Sequence, residues 1–192
     1  MNTSQEAVTP GLSTSGPSIP TLSVTINEAF LAAALVTVAY AQKSVTIYAK
    51  LNDYKEVPSD DTEAARNAVG DRTGGNGDMA MRIYKRRGQP VWTEYSVMPE
   101  NMDEDTPPTM TQIHKAPEGS NGPVVLDLPC TYQQMGSRDW LCNGSLGKEA
   151  AERTGELASA LKELLENPSG FYLNLHTEKY PDGAMRGQFF KS

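Results

Sequence analysis

In 192 residues there are only two histidines, two cysteines and two tryptophans. Zinc or copper is usually held by three or four N, S or carboxylate ligands, so histidine and cysteine alone cannot supply many sites. No Gly-x-Ser-x-Gly elbow occurs, which removes the common serine-hydrolase arrangement. The one glycine-rich run, Gly74-Gly75-Asn76-Gly77, lies in polar surroundings and opens no helical pattern, so it is no phosphate loop. No lysine or arginine precedes Lys43. The net charge is −7, which gives no electrostatic case for nucleic acid or for an anionic membrane surface. The longest apolar run, Phe30 to Val38, is far short of the roughly 20 residues that span a bilayer, so no stable membrane span is expected.

What is present at the N-terminus suggests export. Residues 1–28 are rich in Ser, Thr, Pro and Gly with no usable apolar period, and should be disordered or removed. Phe30 to Val38 followed by Ala39-Tyr40-Ala41 has the form of a secretory h-region and a small-residue cleavage site, leaving Gln42 as the new terminus. The leader lacks a basic n-region, and the other reading is an apolar element of the folded domain. The expected organisation is a leader over 1–41 and a single domain over 42–192. In an exported chain Cys130 and Cys142 should pair. Asn143-Gly144-Ser145 is an N-glycosylation sequon. All three cues point to an extracellular protein.

The remainder reads mostly as short strands. Val45–Leu51, Met79–Tyr84, Val91–Met98, Thr109–Lys115 and Val124–Leu128 are β-rich runs, and two more close the chain. Between them lie a polar stretch from Asp53 to Gly77, a turn at Arg87–Pro90 and an acidic loop from Glu100 to Pro108. Lys85, Arg86 and Arg87 form a small basic patch, which we take as a solvated strand end. One helix is expected over about 154–166: Thr154 can cap it, Leu157, Leu161, Leu164 and Leu165 form a stripe, and Asn167-Pro168 ends it. The stripe is core. About seven strands and one inserted helix suggest an all-β, antiparallel, immunoglobulin-like β-sandwich.

The last two strands carry the densest information. Phe171, Leu173 and Leu175 alternate with Tyr172, Asn174 and His176; Met185, Gly187 and Phe189 alternate with Arg186 and Gln188. Period-2 alternation places an apolar set on one face of a hairpin and an Asn/His/Arg/Gln set on the other. By the same parity Gln112 and His114 share a face of their strand. The candidate site is therefore Gln112, His114, Asn174, His176, Arg186 and Gln188, converging if the register pairs them.

These words resemble the CHRD (chordin-type) domain family. Glu56-Val57-Pro58, Ile113-His114 with Gly122–Leu126, Asn167–Thr177 and Gly183–Gln188 occur in family order over roughly Val45 to Phe190. The resemblance implies an immunoglobulin-like sandwich related in shape to copper/zinc superoxide dismutases. For most members it implies an extracellular domain without a settled activity. The middle motif departs from the frequent His-Ile-His: here Gln112 stands in the first position.

Three uses of the cluster stay open on sequence. It can be a hydrogen-bonded patch that fixes strand register. It can be a ligand or reaction pocket, with His114 or His176 as acid/base and Arg186 holding an anion, as in a small cyclase- or isomerase-like enzyme. It can be a superoxide-dismutase-like metal site using His114 and His176. The expected function is the first of these, within a secreted binding or structural module with no cofactor. Its partner, an extracellular protein or small molecule, is not named by the sequence.

Overall fold

A connection of five residues decides the shape of the sheet. In the computed structural model, which describes residues 43–70, 74–103 and 107–192, nine strands form one antiparallel sheet in the order β5-β4-β8-β9-β1-β2-β3-β7-β6. The strands are β1 (Lys43–Asn52), β2 (Asn76–Arg86), β3 (Gln89–Glu100), β4 (Pro108–Lys115), β5 (Val124–Asp127), β6 (Gln133–Gln134), β7 (Trp140–Leu146), β8 (Phe171–Thr177) and β9 (Met185–Phe190). The edge strands β5 and β6 are consecutive in the chain. Flat, a sheet of this width would hold its edges roughly 38 Å apart at about 4.8 Å per strand. The linker from Asp127 to Gln133 reaches only about 21 Å when fully extended. The sheet must therefore curl until its edges approach.

Cross-edge bonds hold that closure. A disulfide joins Cys130, just beyond β5, to Cys142 in β7, with Cα atoms 5.6 Å apart. Tyr95 of β3 donates its hydroxyl hydrogen to Pro129 O at 2.7 Å, and Tyr132 shares a hydroxyl–hydroxyl hydrogen bond with Thr111 of β4. Inside the curl, alternate residues from both flanks meet in one core: Ile47, Ala49 and Leu51 of β1, Met79, Met81 and Ile83 of β2, Val97 of β3, Ile113 of β4, Leu173 and Leu175 of β8, and Phe189 of β9. Fully burying each larger apolar side chain contributes about 1.5–3 kcal/mol.

Two short helices complete the fold. Helix α1 (Glu63–Asn67) starts where Thr62 Oγ1 accepts from the Ala65 amide. Helix α2 (Gly155–Glu166) has Thr154 as N-cap, accepting from the Leu157 amide. Its buried residues are Leu157, Leu161, Leu164 and Leu165, and it packs chiefly on β3.

The structure corrects the sequence reading in three places. The expected seven strands are nine among the described residues, because β6 lies within the segment closed by the disulfide and β7 begins there and runs on past Cys142. Its Asn-Gly-Ser composition hides the strand: Gly144 is required there because a Cβ would lie 2.4 Å from the Tyr95 ring. The strands make one curled sheet, not two hydrogen-bonded layers. The stretch Asp53 to Gly77 is not wholly loop, since it contains a 3-10 turn, α1 and the first residues of β2. The expected leader over 1–41 lies outside the described residues. No helix among the described residues is long and apolar enough to cross a membrane.

Candidate functional site

The sheet face opposite the core is covered where β4, β8 and β9 run side by side. Every residue of β8 is buried, including Tyr172, Asn174 and His176. The register pairs Asn174 with Arg186 and Gln112, and Tyr172 with Gln188 and His114. The six candidate side chains thus occupy one face of three neighbouring strands. Loop residues 116–122 and 180–184 reach them from above through the hydrogen bonds described next.

Arg186 is the centre. It is 1% exposed, and its guanidinium carbon lies 3.4 Å from the Tyr172 ring centroid. Its Nη2 donates to Pro117 O at 3.1 Å and Ser120 O at 2.8 Å, and its Nη1 to Asn121 Oδ1 at 3.3 Å. Asn121 Nδ2 in turn donates to Val57 O at 2.9 Å, which ties the same loop to the segment after β1. A buried cation requires such partners, because desolvation without them is prohibitive.

Glu56 stands beside this cation. Burial pushes its carboxyl up to about 8, although the Arg186 charge pulls the other way. At neutral pH it is largely a neutral acid. Gly183 makes room for it: φ is +142°, and a Cβ there would come within 2.6 Å of Glu56 Oε2 and 2.8 Å of Asn174 Nδ2.

The histidines are fixed in the same manner. His114 Nδ1 lies 2.9 Å from Gly122 O, and His176 Nδ1 lies 2.9 Å from Pro181 O. A carbonyl accepts only, so each Nδ1 carries the proton and each Nε2 presents a lone pair. His114 stacks on Tyr172 with centroids 4.9 Å apart, and the two imidazole centroids are 6.3 Å apart. Burial lowers the basicity of both rings, opposed by these carbonyl contacts.

Among the described residues, several polar atoms in this face have no hydrogen-bond partner: Glu56 Oε1, His114 Nε2, Asn174 Oδ1, His176 Nε2 and Gln188 Oε1. Amide orientation does not explain Gln188, whose Nε2 donates to Ala116 O and Ser169 O, both at 2.7 Å. A flip would set its oxygen against two carbonyls. The face is therefore rich in acceptors around one clamped arginine. Among the described residues no three His, Cys, Asp or Glu side chains lie close enough to share a metal ion.

Of the sequence candidates, His114, Asn174, His176, Arg186 and Gln188 engage this buried face. Gln112 shares the face by register but turns its Nε2 to Asp127 Oδ1 at 2.7 Å, an exposed pair on the β5 side. Glu56 and Asn121 belong to the cluster and were not among the candidates. The only trace of Glu56 in the sequence was its place in the Glu56-Val57-Pro58 word. Asn143 is exposed on β7 at the rim of a shallow cavity of about 480 Å³ on another part of the sheet.

The sequence model of the CHRD domain matches residues 47–189, and the chain belongs to that family. No curated protein and no solved structure matches it significantly.

Proposed function

We propose that this CHRD-domain chain is a secreted binding or structural module in which the polar cluster is a framework that orders its loops. One observation carries the reading. The hydrogen bonds of the buried Arg186 go to Pro117 O, Ser120 O and Asn121 Oδ1, and each histidine Nδ1 goes to a loop carbonyl. Guanidinium donors spent on Pro117 O, Ser120 O and Asn121 Oδ1 are not free to hold an anion. The curl, with the sheet edges joined through Cys130–Cys142, packs the two flanks of the one sheet over a shared core, and that layering is what relates the fold to an immunoglobulin-like sandwich. The disulfide and the sequon at Asn143 support export, since such bonds persist in oxidising compartments.

The test is expression in a secreting eukaryotic host. The reading expects a mature chain starting at Gln42, no free thiol and a glycan on Asn143. A chain retained in the cytosol with both thiols reduced would refute secretion. Amide exchange then tests the framework: residues 117–122 should lose protection in Arg186→Lys while the core strands keep theirs.

A second reading has its own support. The free lone pairs of His114 Nε2 and His176 Nε2, with Asn174 Oδ1 two residues before His176 on β8, are potential ligand or metal contacts. A zinc or copper site would need at least one more ligand than the two imidazoles.

A further inference from the structure

Cations gather at one end of this acidic molecule against the local preferences of the fold. Lys43 and Lys85 are direct partners across the β1–β2 ladder, and like charges in that position are destabilising. Arg87 occupies the first position of the two-residue β2–β3 turn with φ 53°, followed by Gly88 with φ 83°. This conformation belongs to the hairpin turn that favours Asn, Asp or Gly, and a long side chain there carries strain. Lys85, Lys162 and Lys191 line a cavity of about 260 Å³ between this sheet end and the last turn of α2. Its lining holds a single acid, Glu166, which lies 3.9 Å from Lys162 Nζ, while Lys191 Nζ donates to Leu165 O; its apolar surface comes from Val45, Pro90 and Leu165. Lys43, Arg86, Arg87, Lys162 and Lys191 are exposed.

A solvated strand end would carry no reason for these three departures. We propose that this end is a binding site for a sulfated polysaccharide. The lysine rim and the turn arginines take the sulfate esters, and the apolar floor takes a sugar face. Repeated anions along a flexible glycan can meet both the cavity and the turn, as charge complementarity requires. A stiff duplex or an extended anionic membrane would also face the rest of a chain of net charge −7, which repels it. The inference deepens the binding-module reading by giving it a ligand class. It does not use the Arg186 cluster.

The experiment measures retention of the full chain on immobilised dextran sulfate, with neutral dextran, duplex DNA and phosphatidylserine vesicles as parallel arms. Two independent variants accompany it: Lys85→Gln/Arg86→Gln/Arg87→Gly, and Lys162→Gln/Lys191→Gln. The glycine at position 87 suits the turn, so the first variant should keep its fold, as a melting curve checks. Expected is salt-sensitive binding to dextran sulfate, weakened at least about tenfold in each folded variant, with no binding to neutral dextran. Retention that is unchanged in both variants, or absent in the wild type at about 0.15 M salt, overturns the proposal. Equal binding to duplex DNA or to vesicles overturns the choice of glycan. Secretion is decided separately by the mature N-terminus, so a chain that binds but is not exported refutes only the secretion reading.

Discussion

Arg186 lies flat on Tyr172, with its guanidinium carbon 3.4 Å from the ring centroid, on a sheet face covered by loops. The ring offers the cation a π face while its donors reach Pro117, Ser120 and Asn121. One side chain thus couples β9, β8 and the loop between β4 and β5.

Removing the cation should therefore place the variant well below the wild type in stability. Arg186→Met takes the guanidinium donors from Ser120 O and Asn121 Oδ1 and leaves Pro117 O with the Ser120 amide alone, and is expected to destabilise the fold by at least about 3 kcal/mol in urea unfolding. Arg186→Lys keeps the charge but loses the planar fork, so it should fall between the two. Equal stability of wild type and Arg186→Met would contradict the clamp.

Glu56 and the two histidines should pull stability in opposite directions as pH changes. Burial raises Glu56 from 4.5 to about 8, so the folded chain holds this proton more tightly than the unfolded chain. That contribution is complete below the unfolded value and is lost as pH rises toward about 8. Burial lowers His114 and His176 from 6.5, so their contribution is complete above that value and is lost as pH falls. Urea midpoints across this range should show Glu56→Gln removing the fall in stability between about pH 4.5 and about 8 and leaving the histidine loss at lower pH. A Glu56→Gln profile that tracks the wild type throughout would show that Glu56 is not buried.

Much of this was legible in the sequence and some was not. Alternation along Phe171–Thr177 and Met185–Phe189 placed two faces correctly because side-chain direction in a strand is strictly periodic. The polar face read as a candidate site for the same reason. Its burial was not legible, since the cover comes from loops whose position depends on Arg186. Glu56 left no local signal, because nothing in a stretch such as Lys55–Pro58 says that a carboxyl will lose its water. The curl was implicit in β5 and β6 being sequence neighbours, but β6 is only Gln133–Gln134 and carries no strand pattern.

Gly183 should resist substitution for two separable reasons. Gly183→Ala meets both a positive φ and Glu56 Oε2 at 2.6 Å, and is expected to destabilise by about 1–3 kcal/mol. Glu56→Ala in the same chain should recover only the steric part. Full additivity in that double-mutant cycle would mean the two residues do not touch.

The disulfide should act on the closure of the sheet. Replacing Cys130 and Cys142 by serine is expected to cost about 3 kcal/mol. Amide exchange should rise first in β5 to β7, where the edges separate, and last in β1 and β2. A uniform rise across all strands would argue against edge closure as its role.

The most direct test of the cluster as a loop-ordering framework is elemental analysis of the purified protein beside a His114→Ala/His176→Ala variant. The account predicts no stoichiometric transition metal in either, together with lower stability and a less protected 117–122 loop in the variant. One equivalent of metal in the wild type, absent from the variant, would contradict it and make the two imidazoles a metal site.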